Sequence, residues 1–299
     1  MVSLTWGLLL ISIGVVIVIS LLVLGSVVVR GRRAAIATVP VERGASGLRW
    51  LWIGVGVSSI PLVVALVWTV SVLAAVSRPA GKPAVLIEIT AAQWWWKARY
   101  LDPNPSRIFT TANEIHIPTG QPVQIRLRSA DVIHSFWVPS LGGKTDTIPG
   151  QTNLTWLQAD VPGTYRGQCT EFCGWQHAHM GLLVVAEAPA EFRLWEAAQI
   201  RPAPAPASPQ IASGQDTFEY RCGACHTVRG SKAGGSVAPD LTHLMSRTTL
   251  AAATLPHTIG SLSGWIANPQ AIKPGARMPA MEVSGPELER IRTYLQTLK

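Results

Sequence analysis

The stretch CTEFCGWQHAHM, residues 169–180, brings Cys169, Glu171, Cys173, His177, His179 and Met180 into twelve positions. Thiolate, imidazole and thioether groups in that density are metal-binding chemistry. Cysteine and histidine at C-x3-C-x3-H could close a tetrahedral zinc site if His134, in VIHSFWVP, joined them. Zinc leaves two features without a use. His134 lies 35 residues upstream on a predicted strand, and Met180 follows His177 by three. A soft thioether beside thiolates selects copper over zinc. A single blue copper takes two histidines, one cysteine and a weak methionine. The second cysteine supplies one thiolate more, which allows two bridged copper ions. Paired disulfides would use neither His134 nor Met180.

A second group is Cys222-Gly-Ala-Cys225-His226. Two thiols that can add across haem vinyl groups, with a histidine next to them for the iron, are the mark of covalent c-type haem. The remaining axial position needs a ligand. Met278, in ARMPAM, lies 52 residues after His226, and Met281 is its local rival. A methionine there raises the iron's potential.

These residues must be held by something. VLIEIT (85–90), EIHIP (114–118), VQIRLRS (123–129), VIHSFWV (132–138), NLTWLQA (153–159) and GLLVVAE (181–187) read as strands separated by Gly/Pro turns. Six short strands without helical period predict a Greek-key β-sandwich or barrel. EFRLWEAAQI (191–200) reads as a short helix. RPAPAPASPQ (201–210) reads as an extended, semi-rigid spacer. Beyond it, GQDTFEYRCGACHTV, SLSGWIANP and SGPELERIRTYLQTL read as helices. The last has Ser284 as N-cap and Leu288, Ile291, Tyr294, Leu295 and Leu298 on one stripe.

Upstream, Met1 to Val29 and Trp50 to Ser77 carry no charged residue, and each exceeds the ~20 residues that cross a bilayer as a helix. The first lacks a positive start and outruns a signal-peptide core, so it reads as an uncleaved helix. Arg30, Arg32, Arg33, Arg43 and Arg49 face one acid, Glu42, between the two stretches. Positive loops stay in the cytoplasm, which puts everything after Arg78 outside. The net charge of +8 divides as +5 over residues 1–78, −1 over 79–198, +1 over 199–210 and +3 over 211–299. The excess is a topology signal, and no basic stripe remains for nucleic acid.

Residues 1–198 resemble subunit II of cytochrome c oxidase, the haem–copper terminal oxidase, through GTYRGQCTEFCGWQHAHM, ADVIHSFWVPSLGGKTDTIPG, QWWWKARY and the hairpin. Residues 211–299 resemble a class I cytochrome c, through CGACH, VAPDLTHL and GWIANPQAIKPGARMP. The resemblance implies a multidomain membrane protein. Its parts are a transmembrane hairpin (1–78), a cupredoxin β-sandwich (79–200), the Pro/Ala linker (201–210) and an all-α cytochrome c domain (211–299). It implies His134, Cys169, Glu171 (by its backbone oxygen), Cys173, His177 and Met180 as ligands of a dinuclear copper centre. It implies Cys222, Cys225, His226 and Met278 around one haem c, with the Pro239 carbonyl bonded to His226. Trp94 would pass electrons, with core packing as its other reading, and the Glu171 side chain would reach a magnesium ion shared with subunit I, with a simple turn acid as its other reading.

The partners implied are subunit I, other oxidase subunits, lipid and cytochrome c or another donor. The location is a bacterial plasma membrane. The activity is electron delivery for reduction of oxygen to water coupled to proton translocation. The sequence also departs from the family. The position of a glutamate before the second helix is Gly47, with Glu42 out of register, and QWWWKARY carries Lys97 and Arg99 where many relatives carry acids. His179 reads as a bystander, and Asp131 and Asp146 flank the His134 strand as groups that tune the histidine, meet subunit I or cap. Two other readings are a stand-alone membrane carrier feeding a nitrous or nitric oxide reductase, and a copper-storage module.

Overall fold

A computed structural model describes residues 2–33, 46–77, 79 and 81–299. Two compact units divide the chain, residues 1–80 and residues 81–299. The first holds helices α1 (Val2–Arg33) and α2 (Ser46–Val76). Within them Ser3–Val29 and Leu48–Val76 are long and apolar enough to cross a membrane. Their Leu, Ile and Val side chains are exposed, as they are on a helix whose solvent is lipid. Pro61 lies inside α2 without ending it. The Trp68 ring of α2 rests on Gly7 of α1, where any Cβ would overlap it. Glu42 and Arg43 of the predicted cytoplasmic loop, and Arg78 behind α2, lie outside the described residues.

Ten strands open the second unit. They are β1 (Val85–Ala92), β2 (Trp95–Leu101), β3 (Phe109–Ala112), β4 (Glu114–Pro118), β5 (Val123–Ser129), β6 (His134–Trp137), β7 (Thr145–Thr147), β8 (Asn153–Leu157), β9 (Gly163–Cys169) and β10 (Gly181–Glu187). Two five-stranded sheets, in the orders β3-β2-β1-β5-β8 and β4-β10-β9-β6-β7, make a sandwich. Period two does the sorting. On β5, Val123, Ile125 and Leu127 are buried while Arg126 and Arg128 are exposed. Ile87, Ile89, Ile115, Ile117 and Leu182 fill the space between the sheets.

Four of these strands escape a reading by hydrophobic runs. On β2 the consecutive tryptophans hide an alternation in which Trp96, Ala98 and Tyr100 are buried and Arg99 is exposed. β9, GTYRGQC, carries polar residues and glycines. At Gly167 an added Cβ would lie 2.7 Å from Leu182, so the strand depends on glycine there.

Helix α3 (Pro189–Ile200) closes the sandwich with Phe192 buried and Trp195 stacked on His116. The helical domain follows as α4 (Pro209–Cys222), α5 (Ile259–Ala267), α6 (Pro269–Ile272) and α7 (Gly285–Leu295). Ser284 caps α7 and forms a reciprocal box with Glu287. α4 and α7 cross at Gly214, where a Cβ would overlap the Arg290 carbonyl. The predicted spacer ends earlier than expected, because Ser208 caps α4 and Pro209 opens it. It is also strapped down. Ala203 N–H donates to the Arg229 carbonyl at 2.8 Å, the Arg229 guanidinium donates to the Gln199 and Ile200 carbonyls, and a His243 ring nitrogen lies 3.0 Å from the Arg201 carbonyl.

Candidate metal and haem centres

Strand β6 carries His134 into the sandwich interior, β9 ends on Cys169, and the loop before β10 brings back Cys173, His177 and Met180. The two sulfurs lie 3.8 Å apart, so they are free thiols and not a disulfide. Cys169 Sγ is 4.0 Å from His134 Nδ1 and 3.3 Å from the Glu171 carbonyl oxygen. Cys173 Sγ is 3.5 Å from His177 Nδ1 and 3.9 Å from Met180 Sδ. The donor atoms of His134, Cys169 and Cys173 all fall within 4.8 Å of one another. All six candidate groups therefore converge, each sulfur with its own histidine and its own weaker donor. His179 stays apart: its Nδ1 lies 2.7 Å from Gln176 Oε1.

Electrostatics fit a cation here. A hydrogen bond from Cys173 holds the Cys169 thiol well below its usual range, and the thiolate so formed pushes Cys173 up. Two adjacent thiolates without a metal would repel. Burial pulls His134 down, but its contacts with Cys169 and Asp131 outweigh that and raise it. Asp131 Oδ1 lies 2.8 Å from His134 Nε2, which leaves Nδ1 aimed at the sulfur. Burial raises the Asp131 carboxyl, yet bonds from His134 and from the Gln93 and Val132 amides bring it below its usual value. Asp146 lies on β7 opposite Ser135, away from this contact.

The second centre sits where α4 ends. His226 N–H and Cys225 N–H both donate to the Cys222 carbonyl, folding the motif into one turn. Gly235 lets the next loop pass so close that a Cβ would overlap the Ala224 backbone. His226 Nδ1 lies 2.8 Å from the Pro239 carbonyl oxygen. Burial holds its pKa down, so the ring is neutral, donates from Nδ1 and keeps a free lone pair on Nε2 for iron. Cys222 and Cys225 are free. Met278 is half-buried in a loop stapled by Gln270, whose Nε2 donates to the Ala276 and Met278 carbonyls and whose Oε1 accepts from Gly275 N–H. Sequence reasoning missed Gln270; its place opposite the Pro-Gly turn was the available signal.

Trp94 lies between Cys173 and the loop that precedes Met278, and is 8% exposed. Its indole N–H donates to the Cys173 carbonyl at 3.0 Å, and Gly275 approaches so that a Cβ there would lie 3.6 Å from the ring. Trp96 is core, edge-on to His134 and Phe136. Trp95 is partly exposed.

The pattern of the family described as cytochrome c oxidase subunit II, periplasmic domain, matches residues 88–187, and that of cytochrome c matches residues 211–299. The chain belongs to the cytochrome c oxidase subunit II family. Cytochrome c oxidase subunit 2 of Alkalihalophilus pseudofirmus is 37% identical over 221 residues, 73% of this chain and 63% of that protein. Cytochrome c oxidase subunit 2 of Bacillus subtilis is 29% identical over 294 residues, 91% of this chain and 81% of its relative. The chain thus spans less than two thirds of the first of these and more of the second. The periplasmic domain of subunit II of cytochrome oxidase of Bradyrhizobium japonicum is 31% identical, covers 40% of this chain and 96% of its own, and superposes with a TM-score of 0.38. In this subunit II chain the sandwich is the cupredoxin-like domain, and the helices from α4 to α7 form a cytochrome c domain. The two families imply copper and haem c, and the sulfur–imidazole set and the CGACH turn fit those groups.

Proposed function

We propose that this chain is the electron-accepting subunit of a membrane-bound haem–copper oxidase. Its C-terminal domain takes electrons from cytochrome c or another upstream donor. The cupredoxin-like domain passes them to subunit I, which reduces oxygen to water with proton translocation. The observation that carries the reading is the pair of free sulfurs 3.8 Å apart, each flanked by one imidazole nitrogen and one weaker donor. A lone zinc needs four ligands and leaves the thioether and the carbonyl idle. Two copper ions would use all six groups: Cys169 and Cys173 would supply thiolates, His134 and His177 one imidazole each, and Met180 and the Glu171 carbonyl the weaker donors. Cys222 and Cys225 would hold haem c covalently, with His226 and Met278 as axial ligands.

Bound there, copper and haem iron supply one-electron redox chemistry at a potential that their ligands set. The chain's own residues supply geometry. Asp131 fixes the tautomer and tilt of His134, and the Pro239 carbonyl does the same for His226. Gln270 holds the Met278 loop. Trp94 fills the space between that loop and Cys173 and excludes water from it. The Glu171 side chain is exposed beside the copper residues, where it is free to reach a magnesium ion shared with subunit I. Phe172 and Trp175, 74% and 85% exposed, offer apolar surface beside it for a neighbouring subunit. α1 and α2 anchor the chain in lipid, with both redox domains on the outer face of a bacterial plasma membrane.

Purification of the membrane complex tests the reading. Two coppers and one haem c per chain, a delocalised mixed-valence copper signal in paramagnetic resonance, co-purified subunit I and cyanide-sensitive oxygen uptake are expected. Zinc in place of copper would overturn it. Copper and haem without subunit I would leave a stand-alone carrier.

A further inference from the structure

One of the segments by which the cytochrome c domain meets the copper site is KPGAR (273–277), which runs directly into Met278. Lys273 is 2% exposed, and its ammonium donates to the Trp94 carbonyl at 2.7 Å and to the Ala251 carbonyl at 3.1 Å. Among the described residues no carboxylate lies within ion-pair distance of it. Burying an unpaired ammonium is costly, and a leucine or methionine would pack the same space without that cost. What lysine adds is a directed donor that ties two domains at one atom. Burial brings its pKa down to about 7.

Four residues on, the Arg277 guanidinium meets Asp131 Oδ2 at 3.2 Å, on the carboxylate whose other oxygen holds His134. The Ala251 carbonyl belongs to a turn that is itself strained. Ala251, Ala252 and Ala253 have φ of 52°, 61° and 55°, a left-handed turn that is unfavourable for residues with a Cβ. Such strain persists where the surroundings impose it. Here the surroundings include the copper domain: Gly181 N–H donates to the Ala252 carbonyl at 3.0 Å, and Arg166 to that of Ala253.

We propose that Lys273 and Arg277 are positioning residues that lock the Met278 loop onto Trp94 and Asp131, so that the cytochrome domain is a docked donor and not one swinging on the 201–210 linker. This rests on the oxidase reading above. Both residues act on distance and orientation between the two centres and touch neither set of ligands.

The test uses the full, haem- and copper-loaded complex carrying Lys273→Met, Arg277→Gln or Arg277→Lys. Haem and copper content stay at wild-type values. The amides of Gly181 and Thr248, which bond across the interface to Ala252 and to Glu114, exchange about tenfold to a hundredfold faster in Lys273→Met, as expected on losing a charge-assisted hydrogen bond. Electron transfer from haem to copper after photoreduction slows in Lys273→Met and Arg277→Gln, and Arg277→Lys restores part of it. Unchanged amide protection and unchanged transfer rates, with cofactors in place, would overturn the proposal. If Lys273→Met does not assemble, Arg277→Gln decides, because its side chain is 66% exposed and the fold does not depend on it. A wild-type complex without copper or haem would instead sink the oxidase reading, before any variant is compared.

Discussion

A single carboxylate does two jobs at the copper site. Asp131 holds the His134 ring through one oxygen and takes Gln93 N–H and Arg277 through the other. Partners of this kind orient a ligand and raise its basicity, and their loss costs about tenfold to a hundredfold in metal affinity. Asp131→Asn is expected to lose copper to a competing chelator by that factor while haem content is unchanged; equal retention would remove Asp131 from the site. The two sulfurs make a sharper case. Cys169 and Cys173 Sγ lie 3.8 Å apart, and in the proposed dinuclear centre both would be needed. Cys173→Ser is expected to lower copper from two per chain to one or none by elemental analysis, and to abolish the delocalised spectrum. Two coppers retained after that change would mean that the sulfurs do not bridge.

At the scale of elements, the helical domain depends on how α7 begins and where it crosses α4. Glu287 accepts from the Ser284 amide, from the Arg221 guanidinium and from the Ser284 hydroxyl, and these hold its carboxyl at about 2. A depressed carboxyl stabilises the folded state above its unfolded pKa and loses that share as pH falls through the folded one. The thermal stability of the haem domain is therefore expected to fall as pH drops from the usual glutamate range towards pH 2. Glu287→Gln is expected to lower the midpoint at neutral pH and flatten this acid limb. An unaltered acid limb would mean that other carboxylates carry it. The same α7 buries Ile291, Tyr294 and Leu295 against Phe218 of α4, and the stripe read from sequence is the face that packs.

The sandwich combines a hydrophobic core with a buried group of candidate metal ligands. Ile87, Ile125 and Leu182 pack the sandwich, and Cys169, Cys173 and Met180 are buried in the same core. Removal of copper is expected to leave the strand signal in circular dichroism and to lower the melting temperature, because a ligand that binds only the folded state adds its binding free energy to stability. Loss of the strands on chelation would show that the metal, and not the core, holds the sheets. Between the domains, Glu114 accepts from the Thr248 amide and hydroxyl, Gln176 donates to the Pro274 carbonyl and Lys97 to that of Ser236. The cytochrome domain is thus bonded to the sandwich at several points, of which Pro274 belongs to the Lys273 segment and Thr248 and Ser236 lie outside it.

The sequence by itself determined the chemistry and the period of the elements that carry it. Ligand types and spacing in 169–180 and 222–226 are local, and alternation in β5 or the capping signal at Ser284 is set by neighbours a few residues away. Those features survive in a linear text. Local signals missed β2, because three tryptophans in a row mask the alternation of a strand, and β9, because its glycines serve a partner strand. Only the tertiary structure decided that Asp131 rather than Asp146 meets His134, that Gln270 staples the Met278 loop, and that the proline-rich stretch is strapped to His243 and Arg229. Each is a contact between residues distant in the chain or set by the path of a loop. No spacing rule encodes such contacts, since they exist only once the path of the folded chain brings the two groups within hydrogen-bond reach.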